Sequence, residues 1–148
     1  MDLPLRRAAL LLSAFLFFAP ATSRADVVVV PDPDKWITEA LDNIAAGRTE
    51  EFAREFLRVI DKPNDFDSFH RDVAILGQIG KPAFLEKISD EKYGDVLRQV
   101  IYVALYRQVD YVYFRFVVKK NRNGYAITNF QYKDEAADLF PAGFRGPR

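Results

Sequence analysis

DVLRQVIYVALYRQVDYVYFRFVVKKNRNGYAITNFQYK, Asp95–Lys133, decides the fold. It is dense in Tyr, Phe, Val and Ile and reads as three long antiparallel strands. Asn123-Gly124 between two apolar-rich runs is a strong hairpin signal, because a type I′ turn needs positive φ at both central residues and Asn and Gly tolerate it. A second reversal fits Arg107 to Asp110, with Gln108-Val109 at its tip. That tip sets Val103 against Phe114, Ile101 against Phe116 and Leu105 against Val112. On the opposite face it sets Tyr106 against Tyr111, Ala104 against Tyr113 and Tyr102 against Arg115. One face is then aliphatic and Phe-lined (Leu97, Ile101, Val103, Leu105, Val112, Phe114, Phe116, Val118) and is expected to take helices. The other carries Tyr102, Tyr106, Tyr111 and Tyr113 with Arg98 and Arg115, rings that suit a surface dry on one side and wet on the other. In the last strand Tyr125 and Ile127 have one parity, Phe130 and Tyr132 the other. A β-bulge near Thr128-Asn129 would put all four on one face; without it the strand is apolar on both. The bulge is the preferred reading.

The chain of 148 residues has the length of one domain. Its start reads as a signal peptide, residues 1–25: Arg6-Arg7, an apolar run from Ala8 to Ala19 too short to span a bilayer, and small residues around Ser23-Arg24-Ala25. The mature chain is expected to begin at Asp26 and to be periplasmic or secreted, with no stable membrane anchor after cleavage near Ala25; an uncleaved anchor is the other reading. There is no Cys, so hydrophobic burial alone must hold the exported fold. Basic and acidic residues balance at 21 each, which gives no electrostatic footprint for nucleic acid or anionic lipid.

Residues 26–33 read as a linker or short strand. Asp34, or Asp32 with Pro33 at the first helical position, caps a helix whose stripe is Trp36, Ile37, Ala40, Leu41, Ile44 and Ala45, stopped by Gly47. A second helix starts at Thr49 and buries Phe52, Phe56, Leu57 and Ile60. A third is lined by Phe69, Val73, Leu76 and Ile79. Lys81 to Asp90 reads as a short edge strand and Asp90 to Gly94 as a loop. Residues 134–148 are expected to be a frayed tail. Helices followed by strands, without βαβ alternation, mean an α+β domain over 34–133.

This order resembles the nuclear-transport-factor-like (NTF2-like) superfamily. The carrying residues are the helical hairpin, the short third helix, Ile79-Gly80-Lys81-Pro82, Ile88-Ser89-Asp90-Glu91-Lys92-Tyr93-Gly94-Asp95, and the closing Asn123-Gly124-Tyr125-Ala126-Ile127-Thr128-Asn129-Phe130. They are also similar to uncharacterised exported bacterial proteins of that kind. The resemblance implies three N-terminal helices packed on a curved four-stranded antiparallel meander, a cystatin-like cone. It implies no single activity, because the superfamily includes dehydratases, isomerases and plain binding modules.

His70 is the only histidine and lies in the first turn of a surface helix, where a structural role outweighs general-base work. Asp65, Asp67 and Asp72 lack calcium-loop spacing and read as capping groups. No nucleophile elbow or phosphate loop occurs, no catalytic residue is assigned and no cofactor or metal is implied. Arg115 between Tyr113 and Tyr102 could hold an anion or a partner's carboxylate, or simply lie over the rings. The ligand- or partner-binding candidates are therefore Tyr102, Tyr106, Tyr111, Tyr113 and Arg115. The resulting expectation is an exported binding module, more a binder than an enzyme, which dimerises through that face and holds a small apolar ligand. Coverage of the face by the tail is the competing reading. The alternative function is a small-molecule lyase or isomerase that uses a buried carboxylate or His70 as base.

Overall fold

The computed structural model describes residues 28–139; the expected signal peptide, the cleavage point and residues 140–148 lie outside them. Three helices come first: α1 (Pro33–Ala45), α2 (Thr49–Val59) and α3 (Phe66–Gln78). Asp32 caps α1 by accepting from the Lys35 amide at 3.0 Å, with Pro33 next in the first turn. Gly47 adopts φ 74 and ends that helix in the left-handed region. Asp65 precedes α3 but makes no side-chain capping bond there.

Four strands follow, β1 (Phe84–Tyr93), β2 (Leu97–Tyr106), β3 (Asp110–Asn121) and β4 (Gly124–Lys133), paired in the order β1-β2-β3-β4. The α+β class and the antiparallel meander are as expected; the cone is not. No ladder joins β1 to β4, so both remain edges and the sheet is an open ribbon, not a closed or strongly curled one. The edge strand has the expected length but lies three residues further along the chain. It runs through the expected loop to Tyr93, with a register shift between Lys87 and Ser89.

The β2–β3 hairpin departs from the expected register by one residue. Tyr106 pairs with Asp110, which leaves a three-residue loop, Arg107-Gln108-Val109, and Asp110 takes φ 70. An Asp tolerates that conformation, and a three-residue loop of this kind needs one residue there. Because side chains alternate, the shift turns all of β2 over. Val100, Ala104 and Tyr106 join the helix-side core with Val112, Phe114, Phe116 and Val118, while Leu97, Ile101, Val103 and Leu105 face outward. The β3–β4 reversal is also displaced: Asn121 pairs with Gly124 around Arg122-Asn123, and Gly124, not Asn123, has positive φ.

In β4 the bulge is present. Val117 pairs with Asn129 and Val118 with Ile127, so Thr128 is extra. Tyr125, Ile127, Phe130 and Tyr132 all fall on the helix side. Phe130 becomes the hub of the core, with Phe52, Phe56, Phe116 and Phe114 rings 4.9 to 6.3 Å from it. Fully burying such rings is worth roughly 1.5–3 kcal/mol each, the main source of stability in a chain without disulfides. Before the helices, Val30 donates its amide to Tyr125 at 2.7 Å and forms an isolated bridge to β4. Part of the stretch expected to fray is folded. Ala136–Asp138 form a 3₁₀ turn, and Leu139 beyond it is buried at 1 % exposure.

Candidate functional site

The outward sheet face is the most distinctive surface. Four buried apolar residues, Ile101, Val103, Ala126 and Leu139, stand outside the helix-side core. The first three lie on outward register positions. Leu139 is brought to the same face by its carbonyl, which accepts from Arg115 Nη1 at 3.3 Å. Around this small second core the face divides along the strands.

At the β2–β3 hairpin end, Phe84, Leu105 and Tyr111 form a row across three strands. Phe84 and Tyr111 meet edge to face at 6.3 Å between centroids, yet stay 41 % and 42 % exposed. The next outward row reads Glu86, Val103, Tyr113, Lys133 from one sheet edge to the other. Glu86 and Lys133 are exposed and join no ion pair among the described residues.

Further along the strands the face becomes polar. Gln99, Val117 and Asn129 form one row, with Arg115 two residues from Val117 on the same side. Gln99 Nε2, Asn129 Oδ1 and Arg115 Nε are buried without a hydrogen-bond partner. Arg115 Nη2 donates to Gln131 Oε1. An unsatisfied buried polar atom costs about 1–3 kcal/mol, so three together require an explanation.

The expected Tyr/Arg set is therefore split. Tyr111, Tyr113 and Arg115 share the outward face. Tyr102 and Tyr106 lie beneath the helices with Arg98, because the register shift rotates β2. Burial drives the Tyr106 hydroxyl up to about 12 and raises that of Tyr102. Arg98 does not face a partner either. It is bound to Asp34 and Asp90, whose carboxyls it holds below their ordinary range, Asp90 at about 2.

On the helix side the core is filled, and the clefts open at its ends. One, of about 390 Å³, lies between α3 and the β2–β3 turn, lined by Ile75, Leu76, Ile79, Val109, Val112 and Tyr132. Another, of about 860 Å³, lies at the start of α1 among Asp34, Asp90, Lys92, Arg98, Lys120 and Tyr125. His70 lines neither, and stacks on Phe66 at 5.3 Å. Among the described residues no carboxylate is buried and no three metal-ligating side chains gather. No described helix is long and apolar enough to cross a membrane.

The polar row takes shape only once the hairpin register and the bulge set Gln99 and Asn129 on the outward face, on either side of Val117.

No family model and no curated protein matches the chain. It is similar to a solved structure from Campylobacter jejuni provisionally described as an NTF2-like transpeptidase, with TM-score 0.49 and 10 % identity over 65 % of this chain and 96 % of that one. That description carries the superfamily name the residues resemble. It also names an enzyme, so the expectation that this chain is more a binder than an enzyme is withdrawn.

Proposed function

We propose that this is an exported domain whose hairpin-end sheet face associates with a second copy of the chain. The observation that supports this is the row Glu86–Val103–Tyr113–Lys133 beside the exposed rings of Phe84 and Tyr111. A two-fold axis parallel to the strands, between two facing sheets, lays β1 of one copy over β4 of the other. Each Glu86 then meets a Lys133, twice per dimer, while Tyr111, Leu105 and Phe84 leave water in the adjoining row. The register thus retains three of the five expected binding residues, Tyr111, Tyr113 and Arg115, on the associating face. A small apolar ligand would have room in the groove between α3 and the β2–β3 turn, where Ile75 and Val109 stay 49 % and 45 % exposed.

Light scattering after size-exclusion chromatography tests the association. The parent chain should run at twice the monomer mass, Glu86→Lys and Lys133→Glu should each run as monomers, and the double reversal should restore the dimer. A monomeric parent, or single variants that remain dimeric, would refute it.

Catalysis is the second reading, favoured by the transpeptidase description of the similar chain. In the lyase or isomerase form His70 is the base, since no described carboxylate is buried. Turnover that survives His70→Ala would remove it.

A further inference from the structure

The cleft of about 860 Å³ at the start of α1 has the size of a small-molecule site. Its charges divide into a closed set and an open one. Arg98 engages Asp34 and Asp90 through all three guanidinium nitrogens, and Lys87 lies 3.7 Å and 3.2 Å from the same two carboxylates. Those two cations and two anions cancel. Asp32 accepts the Lys35 amide at 3.0 Å and is held at the helix start. Lys92, Lys120 and Asp95 also line the cleft, and among the described residues they join no ion pair. The open set therefore keeps an excess of one positive charge.

The register puts both lysines on the helix side of the sheet. Lys92 pairs with Arg98, Arg98 pairs with Val118, and Lys120 follows Val118 by two residues on β3. Two strand spacings of about 4.8 Å and a two-residue rise of about 6.8 Å set their Cα atoms roughly 12 Å apart. Two lysine side chains, each about 6 Å long when extended, can meet over that span. Apolar surface lies beside them. Val96 is exposed, and so is Tyr125, the cross-strand partner of Lys120.

We propose that this cleft binds a small organic carboxylate with an apolar body. The carboxylate bridges Lys92 and Lys120, and the body lies against Val96 and Tyr125, with Pro31 and Pro33 in the opposite wall. The single excess positive charge favours a monoanion over a dianion, because Asp34, Asp90 and Asp95 repel a second negative charge. The cleft opens on the helix side, whereas the associating rows lie on the outward face, so this site neither needs nor obstructs the dimer.

Titration of the full chain with phenylacetate, followed through backbone amide shifts by NMR, tests it. Saturable shifts are expected at Lys92, Gly94, Lys120 and Tyr125 in the millimolar range. Lys92→Gln and Lys120→Gln should each weaken binding roughly threefold to fivefold. Both side chains are exposed, so the variants keep the fold, which the amides of Phe116 and Phe130 report in the same spectra. Lys119→Gln, on the outward side of β3, should leave the affinity unchanged. Phenylacetamide, uncharged and of the same shape, should bind more weakly than phenylacetate, and phenyl phosphate no more tightly. Absence of saturable shifts overturns the proposal. So does equal affinity for phenylacetamide, tighter binding of phenyl phosphate, or an affinity that the Lys92 and Lys120 variants leave intact or that Lys119→Gln lowers as much. Shifts confined to Ile75 and Val109 would place the ring in the groove beside α3 and also overturn it.

Discussion

Arg98 in β2 donates from both terminal nitrogens to the two carboxylate oxygens of Asp34, at 2.8 Å each, and so ties the first turn of α1 to the sheet. Its Nε also donates to Asp90 Oδ1 at 2.6 Å, and Lys87 lies 3.2 Å from Asp90. The hydrogen bonds from Arg98 are the main reason both carboxyls titrate low, Asp90 at about 2. A depressed carboxylate adds stability that is present above the unfolded value, near 4, and lost as pH falls through the folded value. Stability should therefore decline between about pH 4 and pH 2, and Asp90→Asn should flatten that decline. Arg98→Ala should cost about 1–2 kcal/mol at neutral pH, more than an ordinary exposed pair, because the fork is bidentate and only 19 % exposed. Urea unfolding at several pH values measures both. Equal acid slopes in Asp90→Asn and the parent would contradict the assignment.

Phe116 sits at the centre of the helix-side core, with no exposed area. Its ring meets Trp36 edge-on at 6.3 Å and Phe130 at 5.0 Å. Truncation to Ala removes contacts to α1 and β4 together and should cost about 3–5 kcal/mol in equilibrium unfolding. A loss below about 1 kcal/mol would mean that β3 presents its other face to the helices.

β3 was legible in the sequence because Val112, Phe114, Phe116 and Val118 alternate with Tyr113, Arg115 and Lys119, and Val117 alone breaks the pattern. β2 was not. Ile101, Val103 and Leu105 are as apolar as Val100, Tyr102 and Ala104, so alternation cannot choose between its faces. The choice falls to the turn, and there a two-residue tip at Gln108-Val109 and a three-residue loop closed by Asp110 differ by one register step. That step decided which tyrosines could form a site. The Thr128 bulge was legible because without it β4 would show rings to water on both faces. The missing closure of the cone was not, since edge pairing between β1 and β4 depends on sheet coiling, which no local pattern encodes.

Tyr106 is 1 % exposed, and burial drives its hydroxyl up to about 12. A group whose folded value is raised adds stability that is present below its unfolded value, near 10, and lost as pH rises through the folded one. The protein should weaken from about pH 10 upward, and Tyr106→Phe should soften that decline. Following phenolate absorbance beside unfolding separates the two events: Tyr106 should ionise only together with loss of the fold. Its ionisation in a chain still folded would contradict the burial of β2's tyrosine face.

Gly124 opens β4 at φ 139, a conformation that an L side chain rarely adopts, and a Cβ there would stand 2.7 Å from Val29 Cγ1. Two separable costs follow from Gly124→Ala, backbone strain and a clash with the segment that leads into α1. Together they should come to about 1–2 kcal/mol or slightly more. Val29→Ala removes the clashing methyl but leaves the strain, so the double variant should recover only part of the loss. The two substitutions should therefore couple in a double-mutant cycle by about 0.5 kcal/mol or more. Simple additivity would show that Val29 does not lie against the β3–β4 turn, and would leave the Val30–Tyr125 bridge without support from its neighbour.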